Sequence, residues 1–312
     1  MIKEHTYLKP TTVAQAIEFA EANKSFKFLA GGTDVMVNKF QGNDESQCLI
    51  DLGCIEELKL IKTDNNYLKI GSLVRLDDLQ NSKQIVEEFP VLIEAAKSIA
   101  TPVIRKTATV GGNILCENRC IFFNQSSWWR EAVGYCLKCE GQICIATGGA
   151  KACFSKFVSD LAPALISMNA IVEIVSISNK REVLLEEIYT GDGVNSKKLQ
   201  SNEIVVAISL PLQQQFKSSF KKLRKRESVD FSSLTSCVSI NNKNEIKISL
   251  AGIDPKPIVV QGLLTDDAED LIKQAIKKSR IVDNDVFSRV YRRKMIQVYL
   301  SQSLAELMKS ES

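Results

Sequence analysis

The sequence predicts an α+β protein, and three observations predict it. Helical and strand patterns alternate through roughly the first 180 residues, several strand patterns then follow one another from 203 to 251, and two helical patterns close the chain. With 312 residues, 45% of them hydrophobic and 25% charged, the chain has the balance of a protein that buries a core and the length for two or three subdomains. The patterns divide it at 1–55, 56–180 and 181–312, the last a separate α+β domain of antiparallel strands and helices.

In order along the chain, Thr12 with Gln15 resembles a capping box, and Val13, Ala16, Ile17 and Ala20 fall on one helical face. Residues 27–30 read as a short strand broken by Gly31-Gly32. Strand patterns follow at 48–52, 57–62 and 67–73, then helical patterns from Leu76 and up to Ile99, with Pro90 separating two pieces. Periodicity fades from Gly111. Paired glycines, Trp128-Trp129 and six of the nine cysteines lie between there and Cys153, and long loops without their own secondary structure are usually functional. Ser159 or Asp160 can cap a helix carrying Leu161, Leu165, Ile166 and Met168, and 170–178 has the β-branched density of a buried strand. Strand patterns at 203–210, 216–224, 232–240 and 245–251 lead to helical patterns at 266–278 and 284–308.

A net charge of +3 over 40 basic and 37 acidic residues gives no field that argues for nucleic acid or a membrane surface. The N-terminal stretch has no apolar core of signal-peptide length, and no run of about 18 apolar residues occurs, so a cytoplasmic protein without a membrane span is expected. The single histidine, His5, reads as a surface residue, and no Ser/His or Cys/His pair can be built on it. Nine cysteines in a chain of this size point to metal or redox chemistry rather than disulfide staples.

Two segments could cradle an anion. In FLAGGTDVMVNKF, from Phe28, a strand ends in two glycines, and the amides of Gly31, Gly32, Thr33 and Asp34 with the Thr33 hydroxyl could donate to phosphate oxygens. In TPVIRKTATVGGNI, from Thr101, a second Gly-Gly is closed by Asn113, whose amide both donates and accepts. Each alone is more often a plain turn; a dinucleotide needs contacts from more than one loop.

In CLKCEGQICIATGGAKAC, from Cys136 to Cys153, four thiols fall in eighteen residues. Cys116-x3-Cys120 and Cys136-x2-Cys139 suit structural zinc, while four cysteines suit a [4Fe-4S] centre equally, and spacing does not choose between them. Trp128-Trp129-Arg130 reads as an apolar patch covering this loop or packing it on another surface. The cationic run 220–226 reads as a solvated strand face or a subunit contact.

LAGGTDVMV, TPVIRKTATVGGNI and SDLAPALISMNA together resemble the FAD-binding subunit of the molybdenum hydroxylase family, which includes xanthine dehydrogenase, carbon monoxide dehydrogenase and aldehyde oxidoreductases. FKKLRKRESVDFSSLTSCVSI, AGIDPKPI and YRRKMIQVYLSQSL resemble the family's C-terminal flavoprotein domain, so the resemblance covers nearly the whole chain in the family's order. It implies a p-cresol methylhydroxylase-type FAD-binding domain of two α/β subdomains. It also implies cofactor contacts from Leu29, Ala30, Gly31, Gly32, Thr33, Asp34 and Val35 around the pyrophosphate, from Thr109, Gly112 and Asn113 in the second loop, and from Asp160 near the ribityl and phosphate region. Lys221 or Lys222 could lie near the flavin.

About 45 residues separate the GGN and SDLAP motifs, where most of the family has a short connection. This insertion, about 115–155, resembles that of the 4-hydroxybenzoyl-CoA reductase β-subunit and the periplasmic-type aldehyde oxidoreductase flavoprotein, where it binds an additional [4Fe-4S] cluster. The ligand positions then fall on Cys120, Cys136, Cys144 and Cys153, leaving Cys116 and Cys139 outside the set.

The resemblance implies an electron-transfer subunit of an oxidoreductase, with the isoalloxazine of FAD as its working group. The molybdenum cofactor would lie on a large partner subunit and the usual [2Fe-2S] centres on a small one. Electrons would pass between these and an external carrier such as ferredoxin or NAD(P). The alternatives are a non-catalytic, zinc-stabilised assembly subunit and a stand-alone FAD oxidoreductase.

Overall fold

The computed structural model describes residues 5–309, and three sheets organise them. Strands β1 (Thr6–Leu8), β2 (Phe26–Leu29) and β3 (Cys48–Asp51) form a parallel sheet with β3 in the middle. Parallel neighbours need crossovers, and helices α1 (Val13–Ala22) and α2 (Val35–Phe40) lie within them. The α1 cap forms as the sequence predicts: Thr12 Oγ1 accepts from the Gln15 amide at 3.2 Å, and Ala16, Ile17 and Ala20 are buried. His5 is exposed.

The second sheet is antiparallel throughout. Its strands β4 (Ile61–Asp64), β5 (Tyr67–Gly71), β6 (Ile171–Val175), β7 (Lys180–Leu184) and β8 (Ile204–Pro211) stand in the order β4-β5-β8-β6-β7. Between β5 and β6 come α3 (Lys83–Glu88), α4 (Pro90–Lys97), α5 (Pro102–Arg105), α6 (Val110–Ile114), α7 (Ser127–Val133) and α8 (Leu161–Ser167). Residues 57–62, expected as one strand, divide into a 3-10 turn, Glu56–Lys59, and β4. Leu58 is buried, and its carbonyl is taken by the Leu73 amide at 2.8 Å. The strand expected in the C-terminal domain at 203–210 instead lies at the centre of this sheet, between β5 and β6, so the sheet closes after 211 rather than at 180. Its partners lie far away in sequence, where a local pattern carries no information about pairing.

The third sheet, antiparallel, runs β12-β11-β10-β9 from β9 (Phe216–Leu223), β10 (Leu234–Asn241), β11 (Glu245–Ala251) and β12 (Ile258–Leu263). Helices α9 (Ala268–Lys278) and α10 (Arg289–Lys309) pack on one face around Val238, Ile248, Ile296 and Leu300. On the other face α8, buried along its whole length, contributes to a core that joins the second and third sheets through Leu165, Phe220, Cys237 and Ala251. Helix α10 begins five residues later than expected because Asn284 and Asp285 spend their side chains on the Phe154 carbonyl and the Phe287 amide. A third core, with Ile17, Ile50 and Leu58, takes Ile204 and Val206 from β8 and so binds the first sheet to the second. Among the described residues no helix is long and apolar enough to cross a membrane.

Candidate functional site: a two-loop cleft and an adjoining cysteine cavity

A cleft of about 690 Å³ opens where the first two sheets meet. Ala30, Gly31, Gly32, Thr33, Asp34 and Val35 line one wall, and Thr109, Gly112, Asn113 and Asp160 also line it. Leu29 is the exception among the expected contacts; it is buried behind the loop and outside the cleft wall.

The two glycine loops are built against each other. A Cβ on Gly31 would collide with the Thr107 carbonyl, and Gly32 holds φ at +70°, so the loop needs glycine for close approach at one position and backbone hand at the next. Gly111 also sits close on Ser72, where a Cβ would collide, and donates its amide to the Ser72 carbonyl at 2.8 Å. Thr109 caps α6 by accepting from the Gly112 amide at 3.1 Å. Among the described residues the amides of Gly32, Thr33 and Asp34 have no protein acceptor. Asn113 Oδ1 accepts from the Ser159 hydroxyl at 2.7 Å and the Leu161 amide at 3.3 Å, and its Nδ2 likewise has no protein acceptor. Ser159 is also the residue that caps α8, taking the Ala162 amide at 3.0 Å, whereas Asp160 makes no side-chain cap.

The acidic groups of the cleft are already engaged. Asp160 accepts from Thr235 Oγ1 at 2.6 Å and from Lys222 Nζ at 2.5 Å, so Lys222 points inward instead of lying on a solvated strand face. Lys221 turns the other way, to Glu306. Asp34 pairs with Arg119 and accepts from the Glu117 amide at 3.0 Å, tying the first glycine loop to the start of the cysteine-rich insertion. Unpaired donors on one wall and apolar groups such as Ile99, Ala108 and Val158 elsewhere suit a ligand with a phosphate-bearing part and a ring-bearing part, which is the chemistry of FAD.

The insertion has an ordered frame despite its weak sequence pattern. Its start and exit are paired, Arg119 to Lys156, through amide bonds of 2.9 and 2.8 Å. The buried Asn118 donates to the Ser155 and Pro255 carbonyls at 2.9 and 2.8 Å. Cys136 bridges to Ile143, with a left-handed residue at Glu140 turning the chain between them. Of Trp128-Trp129-Arg130, only Arg130 is buried, bonded to the Phe123 and Gln125 carbonyls and to Asn43, while Trp128 is 75% exposed.

Inside this frame Cys120, Cys136, Cys144 and Cys153 are all buried, and all four line one small cavity of about 10 Å³. Neither Cys116 nor Cys139 does. Cys116 lines the larger cleft, where burial and then Asp34 push its thiol up to about 12. Cys139 is partly exposed beside Cys136. Among the described residues no three His, Cys, Asp or Glu side chains stand close enough to hold a single metal ion.

Lys138, between the cysteines of CLKC, lines both cavities, as does Phe123. Its ammonium bonds Glu117 Oε2 at 3.2 Å and the Asn118 carbonyl at 3.0 Å. Burial pushes the Glu117 carboxyl up, but Lys138, Lys197 and Lys27 outweigh it and hold it down at about 2. Lys197 donates to the Cys116 carbonyl at 2.7 Å. Sequence reading missed Glu117, Arg119, Lys138 and Lys197. For Glu117, Arg119 and Lys138 the signal was charge beside the insertion's cysteines, costly to bury unless paired; Lys197, outside the insertion, carried no such signal.

Comparison with known proteins agrees with this geometry. Residues 3–213 match the family described as the FAD binding domain in molybdopterin dehydrogenase. The chain is 29% identical over 265 residues to the aldehyde oxidoreductase FAD-binding subunit PaoB of Escherichia coli, covering 82% of this chain and 83% of that one. It is 30% identical over 264 residues to the xanthine dehydrogenase FAD-binding subunit of a second Escherichia coli strain, covering 82% and 76%. In fold it is similar to a chain of carbon monoxide dehydrogenase from Hydrogenophaga pseudoflava, with a TM-score of 0.73, 20% identity and 98% of both chains covered. It is similar also to a chain of quinoline 2-oxidoreductase from Pseudomonas putida 86, with a TM-score of 0.71, 16% identity and 97% and 98% covered. The α+β expectation therefore holds, and the chain belongs to the FAD-binding subunits of the molybdopterin dehydrogenase, or molybdenum hydroxylase, family of oxidoreductases.

Proposed function

We propose that this subunit carries a [4Fe-4S] cluster beside its FAD and relays electrons between the molybdenum and [2Fe-2S] centres of its partners and an external carrier such as ferredoxin or NAD(P). One observation carries the reading: the four cysteines that the resemblance assigns as ligands line one cavity, which shares Phe123 and Lys138 with the glycine-loop cleft. Thiolates without carboxylate or imidazole neighbours are the donor set of an iron–sulfur centre. A cavity of about 10 Å³ is roughly one water-sized sphere, so a four-iron cluster would require the cysteine segments to part around it.

In this reading the free amides of Gly32, Thr33 and Asp34 hold the pyrophosphate, Asn113 donates from the second loop, and Asp160, fixed by Lys222, faces the ribityl region. Bound FAD exchanges electrons in pairs or singly, linking two-electron carriers to one-electron centres. The residues of this chain bind and orient it, and substrate chemistry lies on the molybdenum subunit.

The test is the visible spectrum with iron and flavin analysis of the purified protein and two variants. Cys144→Ser should lose iron and keep flavin, whereas Cys139→Ser should keep both. Equal iron loss in the two variants would overturn the ligand set, and a colourless protein with stoichiometric zinc would overturn the whole reading in favour of an assembly subunit. Turnover of an organic substrate by the isolated chain would favour a stand-alone oxidoreductase.

A further inference from the structure

Among the described residues Lys138 is the one cation that belongs to the walls of both cavities. Its side chain is only 8% exposed, fixed by Glu117, by the Asn118 carbonyl and by the Phe123 ring, whose centroid lies 5.1 Å from Nζ. A charge held this way is weakly screened, and its field acts on whatever occupies either side. On the cysteine side it stands in the same cavity wall as Cys120, Cys136, Cys144 and Cys153. Glu117 faces only the larger cleft, so the ion pair lies across the partition, with its positive end shared and its negative end on one side.

We infer that Lys138 is a potential-setting residue shared by the flavin and the cysteine-bound centre, holding both at a higher potential than their own negative charge would give, with Glu117 as its counter-charge. The inference rests on the cluster reading above. It concerns electrostatics alone, since Lys138 supplies neither a ligand nor a proton. A reduced centre carries one more negative charge than its oxidised form, so a nearby fixed cation favours reduction and a nearby fixed anion opposes it.

The experiment is an anaerobic redox titration of the full chain, purified with its flavin and iron, following flavin absorbance and the cluster's paramagnetic signal separately. Lys138→Met should move both midpoints to more negative values, and Lys138→Arg should restore most of the shift. Glu117→Gln should move the flavin midpoint the opposite way, a sign reversal that loosened packing does not produce. Unchanged midpoints in Lys138→Met with iron and flavin retained would overturn this inference and leave the cluster reading intact. Wild-type protein with flavin but no iron would overturn both. Should Lys138→Met lose its iron, the Arg and Glu117→Gln variants decide: no opposite-sign shift in the latter overturns the inference.

Discussion

At the residue scale, the glycines of the two loops do different work. Gly31 meets the Thr107 carbonyl, a contact internal to the protein, whereas a Cβ on Gly112 meets only Thr109 Oγ1, at 3.0 Å. Sequence reading treated both Gly-Gly pairs as phosphate cradles, because spacing shows that backbone comes close to something without showing to what. The distinction is measurable. Gly31→Ala should destabilise even the flavin-free protein, by roughly 1–3 kcal/mol as overpacked sites do. Gly112→Val should leave flavin-free stability within about 1 kcal/mol and lower flavin occupancy. Denaturation of the stripped protein, with flavin absorbance per chain, checks both. Full flavin occupancy in Gly112→Val would remove that loop from the site.

At the scale of elements, periodicity and caps located most helices and strands within a few residues, because those signals are local. β11 was legible in full, since residues 245–251 alternate and end at a turn. β1, β7 and β12 went unread: β1 is a three-residue edge strand, β12 lies at a sheet edge and carries Gly262, and β7 is a charged edge strand, Lys180–Leu184, held in place by its partners. One such tie is Arg181, which grips Glu203 through two bonds of 3.0 and 2.9 Å, while the Gln200 amide adds a third at 2.9 Å. Arg181 hydrogen bonding holds the Glu203 carboxyl below its usual range, against the opposing effect of burial. A carboxylate depressed in the folded state stabilises above its unfolded value of about 4.3, and that stabilisation is lost as pH falls through the folded value. Glu203→Gln should therefore cost about 1 kcal/mol at pH 7, and the gap to wild type should close below about pH 4. Urea denaturation across pH reads this directly, and a gap that stays constant would assign the loss to packing instead of charge.

For the whole molecule, the order of motifs made the family legible, yet how the domains are fastened was not, because the fasteners are long-range pairs of buried charge. Lys156, at the exit of the cysteine insertion, pairs with Asp285 from the segment before α10, and both are almost fully buried. Lys156 Nζ also donates to the Ser232 carbonyl at 2.9 Å, and Asp285 accepts from Ser233 Oγ at 2.7 Å and the Phe287 amide at 3.0 Å. The same Lys156 backbone holds Arg119, which holds Asp34 in the first glycine loop. The C-terminal domain thus clamps the exit of the insertion, and the insertion clamps the cleft. Removing one partner leaves the other charge buried and uncompensated, which costs about 3–5 kcal/mol, whereas replacing both by apolar groups is often close to neutral. Asp285→Asn should therefore lower stability by an amount near the bottom of that range, since Asn keeps two of the hydrogen bonds. Asp285→Leu should lie higher, and the Lys156→Met, Asp285→Leu double variant should recover most of the loss. Thermal denaturation of the wild type, the Lys156→Met and Asp285→Leu single variants and the double variant measures the coupling. Additive losses in the double variant would mean that the two charges act independently and that the domains are fastened elsewhere.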